Sequence, residues 1–170
     1  MESAIIGGGC FWCVEAILQL RNGVEAVVSG YTGGQTENPS YKDICTGTTG
    51  HAEVVRVDYD ETKVSYKEIL ELFFEAHDPT TLNQLGNDRG TQYRSVIYYT
   101  DDQQKATAEQ VKELAQSWYD EPIVTEISPV ETFYPAEDYH QNYFNQNPAQ
   151  PYCFHLIRPK VEKFKDKLGD

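Results

Sequence analysis

No part of this 170-residue chain gathers apolar residues into a run near eighteen, so no membrane-spanning helix is expected. The N-terminus carries neither a basic region nor an apolar stretch behind it, and a strand pattern begins almost at once at Ala4-Ile5-Ile6. A secretion signal is therefore not expected, and the chain reads as cytoplasmic. Basic residues are scarce, 14 against 27 acidic, for a formal net charge of −13. That excess repels phosphate backbones and anionic headgroups, which argues against nucleic acid and membrane surfaces as partners and is read chiefly as solubility. Repeats and low-complexity segments are lacking, so one domain over residues 1–170 with a core of its own is expected. Cysteine is limited to four, and only Cys10 and Cys13 are spaced as a pair, with Cys45 and Cys153 isolated. Two short-spaced pairs, the usual structural zinc set, are missing. In a chain without a secretion signal, four cysteines point to chemistry rather than to a disulfide framework.

What is present is concentrated in Gly7-Gly8-Gly9-Cys10-Phe11-Trp12-Cys13-Val14-Glu15-Ala16. An apolar run leads into three glycines, and then Val14, Ile17 and Leu18 recur at helical spacing, which predicts strand, tight turn and a helix to about Arg21. Asn22-Gly23 supplies the left-handed residue that ends a helix. Cys10 is thereby placed at a helix N-terminus, where unpaired N–H groups and the helix dipole favour thiolate and lower the thiol pKa from its free value of about 8.5. An inert buried cysteine or half of a metal clip would also sit in such a segment, but neither needs a glycine-lined turn that brings backbone and ligand close.

Alternation then predicts a strand over 24–30, a long loop over 35–50 carrying Tyr41 and Cys45, and a strand over 52–59 whose apolar face includes Glu53. Ser65 and Glu68 form a capping box for a helix with Ile69, Leu70 and Phe73 inward. A second long loop over 80–90 carries Asp88 and leads to a strand over 93–99 that begins at Tyr93. Thr100 and Gln103 are spaced as a cap for a helix with Val111, Leu114, Ala115 and Trp118 as its apolar stripe. A strand over 123–130, a polar aromatic segment over 137–144 and a tail over 147–170 with a last short helix at about 161–168 complete the chain. The order strand, helix, strand, strand, helix, strand is that of a ferredoxin-like α+β fold. It predicts a two-layer split β-α-β sandwich with a mainly antiparallel sheet, an extra helix and strand, and a coil-rich C-terminal tail. Both long loops leave strand ends, so Tyr41, Glu53, Asp88 and Tyr93 are expected to converge near Cys10. A carboxyl on an apolar face holds a proton more readily, which suits Glu53 as a proton donor.

Six blocks, in order, carry a family pattern: Gly9-Cys10-Phe11-Trp12, Gly30-Tyr31-Thr32-Gly33-Gly34, Asn38-Pro39-Ser40-Tyr41, Thr49-Gly50-His51-Ala52-Glu53-Val54, Gly86-Asn87-Asp88-Arg89-Gly90-Thr91-Gln92-Tyr93-Arg94-Ser95 and Ala136-Glu137-Asp138-Tyr139-His140-Gln141. Together they resemble the peptide methionine sulfoxide reductase A family. The resemblance implies reduction of methionine-S-sulfoxide, free or in oxidised proteins and peptides, as repair after oxidative damage. It implies attack by Cys10 on the sulfoxide sulfur to leave a sulfenic acid, proton donation by Glu53, and hydrogen bonds from Tyr41 and Tyr93 to the sulfoxide oxygen. Asp88 would assist through water, and Phe11 and Trp12 would form the apolar pocket for the S-methyl group.

Cys13 departs from the family's commonest pattern, which has glycine there, and so two residues could attack the sulfenic acid. Cys153, in Pro151-Tyr152-Cys153, resembles the family's resolving cysteine and is favoured; Cys13 is the alternative. Thioredoxin is the implied electron donor. No metal or organic cofactor and a monomeric state are expected, and Cys45 matches a position without a catalytic role. The rival readings are a thioredoxin-like CxxC disulfide oxidoreductase, which explains neither Glu53 nor the tyrosines, and a thiol-based redox or metal-binding module, which predicts that Glu53→Gln would matter little.

Overall fold

The computed structural model describes residues 2–8, 11–77, 79–80, 84–85, 88–147, 149–151 and 157–168, with the backbone alone for 11, 84–85, 88–89, 91, 139 and 166–168. Strands β1 (Glu2–Gly7), β2 (Val24–Thr32), β3 (Ala52–Tyr59) and β6 (Val96–Tyr99) form the centre of a six-stranded sheet. Helix α1 (Phe11–Leu18) joins β1 to β2, and α3 (Tyr66–Ala76) lies between β3 and β6. The strands stand in the order β6-β1-β3-β2, every pair antiparallel. This is the split β-α-β arrangement expected from the element order.

Two further strands extend the sheet. β7 (Glu126–Pro129) runs parallel to β6 after the crossover helix α4 (Asp102–Gln116), and β8 (Tyr134–Pro135) adds to the other side beside β2. Along β1, Ala4 and Ile6 enter the main core with α1 and α3, while Ile5 joins a smaller cluster with Ala52, Val54, Val96 and Tyr98, as the period of two requires. Ser65 caps α3, taking the Glu68 N–H at 3.0 Å while the Glu68 carboxylate takes the Ser65 N–H, a device that stabilises a helix by about 1 kcal/mol.

The structure corrects several local expectations. α1 ends at Leu18, and the chain tightens through Leu20 N–H to Ile17 and Arg21 N–H to Leu18 before Gly23 turns it at φ +100°. The first long loop contains a short helix, α2 (Tyr41–Cys45), held by a Ser40–Asp43 capping box. The second contains a two-stranded ribbon, β4 (Gln84–Leu85) with β5 (Asp88–Arg89). Tyr93 ends a 3-10 turn, Thr91–Tyr93, and the strand begins only at Val96. α4 is capped by Asp101 rather than Thr100, and its inward stripe is Gln104, Ala108, Val111 and Ala115, leaving Leu114 and Trp118 45% and 42% exposed. After α5 (Tyr143–Gln146), the chain ends in α6 (Arg158–Leu168), which starts before residue 161 and buries Val161 and Phe164 in the main core.

Candidate active site

The antiparallel pairing of β1 with β3 brings the end of one beside the start of the other, so Gly7, as β1 gives way to the glycine turn, lies beside Glu53. The approach is close enough that a Cβ at Gly7 would meet the Glu53 carbonyl oxygen at 2.5 Å. At Gly8 a Cβ would meet the ring of His77 at 2.6 Å. That ring is fixed between the Phe73 carbonyl at 2.7 Å and the Ser95 hydroxyl at 2.8 Å, and the Ser95 hydroxyl is in turn 2.7 Å from the Thr125 hydroxyl. At positions 7 and 8 only a residue without a side chain fits, and α1 begins three residues further on at Phe11.

Glu53 is 1% exposed, on the face of β3 that Val55, Val57 and Tyr59 carry into the core. Opposite it on β2 stands Tyr31, fully buried, and directly opposed residues of antiparallel strands project to the same face. Tyr41 opens α2 and is half-buried. Tyr93, also half-buried, ends a turn packed against β3, and Arg94 ties that turn to the approach to β3 by donating to the Gly50 carbonyl at 2.9 Å. His51 clamps the neighbouring loop: its Nδ1 accepts from Gly34 N–H at 3.0 Å, which leaves Nε2–H to donate to the Thr36 carbonyl at 2.6 Å.

Trp12 lies in a wall of rings. Tyr143 stacks on it with centroids 3.9 Å apart and planes 10° from parallel, and its indole N–H donates to His140 Nδ1 at 3.0 Å. Tyr41 lies 4.3 Å from the His140 ring and 6.4 Å from Trp12. The segment after β8 thus assembles the wall. Gln141 is zipped to β2, accepting from Ser29 N–H and donating to the Ser29 carbonyl, both at 2.9 Å. Glu15, buried one turn beyond Trp12, accepts from the Ser29 hydroxyl at 3.1 Å and the Tyr143 N–H at 3.3 Å. Burial raises the Glu15 pKa, against the opposing pull of the Asn142, Ser29 and Tyr143 hydrogen bonds.

Sequence analysis assigns no role to His140 or Tyr143. The signal for both was their place in the polar aromatic block after β8. Cys13, the alternative resolving residue, is 5% exposed within the main core. Cys45, at the end of α2, is exposed. Cys10 and Cys153 lie outside the described residues, as do the side chains of Phe11 and Asp88; Asp88 is placed by its backbone alone, in β5. Among the described residues no group of three His, Cys, Asp or Glu could hold a metal ion, and no helix is long and apolar enough to cross a membrane.

Burial lowers the His140 pKa from 6.5, with the Glu137 charge opposing it. The neutral ring is the one whose Nδ1 can accept from Trp12. In the unfolded chain the imidazole takes up a proton at higher pH than in the folded one, so stability is complete above about 6.5 and falls as pH drops below it. Urea titrations at pH 7.5 and 5.5 are expected to show a larger loss for the wild-type protein than for His140→Asn, whose amide oxygen can still accept from Trp12. Equal losses would contradict this account.

A six-stranded mixed sheet with helices α1 and α3 packed into its main core is an architecture the chain shares with solved methionine sulfoxide reductases. Mxr1 from Saccharomyces cerevisiae, in its reduced form, superimposes with a TM-score of 0.85 at 35% identity over 92% of each chain. The same yeast protein in complex with Trx2 matches at a TM-score of 0.60 and 24% identity, covering 84% of each chain, a likeness of fold. Residues 2–170 match the family model described as peptide methionine sulfoxide reductase, and the chain belongs to that family. Peptide methionine sulfoxide reductase MsrA from Leptospira borgpetersenii serovar Hardjo-bovis (strain L550) is 56% identical over 164 residues, 96% of this chain and 93% of that protein. The activity is accordingly that of an MsrA, reduction of methionine sulfoxide.

Proposed function

We propose that the enzyme reduces the S epimer of methionine sulfoxide, free and within proteins, through a sulfenic acid on Cys10, and so repairs oxidised proteins. The Cys10 thiolate attacks the sulfoxide sulfur while Glu53 gives its proton to the oxygen. The oxygen ends on Cys10 as a sulfenic acid, the substrate sulfur is reduced by two electrons, and methionine leaves. The observation that carries this reading is Glu53 itself, removed from water on an apolar face at the end of the sheet where β1 delivers the glycine turn. Tyr41 and Tyr93 hydrogen-bond the oxygen as charge moves onto it, and Asp88 assists through water. Phe11 and Trp12 receive the S-methyl group.

Cys153 then attacks the sulfenic sulfur, releasing water and forming a disulfide with Cys10. Two features support Cys153 over Cys13. Cys13 is held in the core, whereas position 153 falls in sequence between α5 and α6, and those two helices both pack on α1, the helix that follows Cys10. Dithiol exchange with thioredoxin restores both thiols, in line with the Trx2 complex of the yeast relative. Neither a metal nor an organic cofactor enters these steps. The chain works as one domain and as a monomer, with residues 147–170 serving as the segment that presents Cys153.

The reduced protein, incubated with dithiothreitol and separate R and S epimers of N-acetylmethionine sulfoxide, is expected to yield thioether from the S epimer alone. Cys10→Ser is expected to yield none. Thioether from the R epimer would overturn the stereochemistry, and thioether from Cys10→Ser would overturn the nucleophile.

A further inference from the structure

We propose that Glu137 is a positioning residue for the reaction, tying the start of α2 at Tyr41 through a carboxylate bridge to Tyr31, the strand partner of Glu53. The inference rests on the proposed role of Tyr41. One oxygen of Glu137 accepts the Tyr41 backbone N–H at 2.9 Å and the other accepts the Tyr31 hydroxyl at 3.1 Å. Tyr31 is fully buried and stands directly opposite Glu53, so the phenol that receives the bridge rises from the same face as the proton donor. Glu137 is itself delivered by the sheet. It follows β8 by two residues, with Tyr134 paired to Tyr31 and Ala136 N–H donating to the Ser29 carbonyl at 2.8 Å. α2 is a single short helix in a long loop, and its first N–H would otherwise face solvent or nothing.

Burial opposes the Glu137 charge, yet the Tyr41 N–H, its own backbone N–H and the Tyr31 hydroxyl together hold the carboxyl below 4.5. The bridge is therefore a carboxylate at neutral pH, with both oxygens accepting. Reach is what the geometry requires of it. Glutamine has the same length, and its amide oxygen can accept from Tyr41 while its NH2 donates to the Tyr31 oxygen. Aspartate keeps the charge but falls one methylene short of spanning the two partners.

The test is single-turnover methionine release from N-acetylmethionine-S-sulfoxide by the reduced protein, followed across substrate concentrations. Glu137→Ala and Glu137→Asp are expected to slow release at saturation by about tenfold to a hundredfold with little change in the half-saturating concentration, while Glu137→Gln stays within about threefold of wild type. Joining Glu137→Ala to Tyr41→Phe should cost no more than the larger single loss, because the two substitutions disable one unit. Should the alanine variant not fold, the contrast between aspartate and glutamine decides. Wild-type release by Glu137→Asp, or a glutamine variant as slow as the aspartate, overturns the bridge. So does a double variant whose losses multiply. Wild-type release by Tyr41→Phe would instead strike the role of Tyr41, and the bridge with it.

Discussion

Glu53→Gln is expected to slow methionine release in a single turnover by about a hundredfold or more, since general acid catalysis is typically worth that much. Thiolate attack drives an electron pair toward the sulfoxide oxygen, and that oxygen must take a proton to part from the substrate sulfur. Glutamine matches glutamate in shape and can still hydrogen-bond the oxygen, but it has no proton to give. Glu53 is 1% exposed, between Ala52 and Val54 that are fully buried, so bulk water is poorly placed to substitute. Because the interaction strengthens only as the bond breaks, kcat and kcat/KM should fall together. Rapid-quench measurement of methionine with the protein in excess checks this. A rate within threefold of wild type would remove Glu53 from the mechanism.

Cys153→Ser is expected to release a single equivalent of methionine and then stop when thioredoxin is the reductant. The first step needs only Cys10 and the proton donor, so the burst should keep its wild-type rate. What is lost is the disulfide that thioredoxin can exchange with, and the protein should accumulate as a sulfenic acid that a dimedone-type trap captures. Dithiothreitol, small enough to reach the sulfenic sulfur directly, should restore turnover. Sustained turnover with thioredoxin would pass the resolving role to Cys13, and the core would then have to open around it.

The features legible in the chain were those with a local cause. The alternation of Ala52–Tyr59, the Ser65–Glu68 cap and the order of the main strands and helices each follow from residues close in sequence, and the split β-α-β, mainly antiparallel arrangement followed from them. α2 was obscured because its capping box sits among Gly, Thr and Asn that read as loop. Leu114 and Trp118 misled because they fit a helical stripe; α4, packed against α3 and β6, instead buries Gln104, Ala108, Val111 and Ala115. Gln104 shows why a polar residue can lie inward, since it donates to the Ser3 carbonyl at 3.0 Å and accepts from the Thr100 N–H at 2.9 Å. The links that assemble the site, Trp12 to His140 and Glu137 to Tyr31 and Tyr41, span 96 to 128 residues. No periodicity encodes contacts that long. Only the motif block around residues 136–141 hinted that this segment returns to α1.

The two strands that end the sheet are both short and both finish in proline, β7 at Pro129 and β8 at Pro135. Proline offers no N–H to an incoming strand, and a short edge gives a neighbour little length to zip onto. The sheet therefore resists growing by addition of a strand from another molecule. If its substrates include oxidised proteins, as proposed, that blunting keeps the sheet edges from pairing with the exposed backbone of a bound substrate.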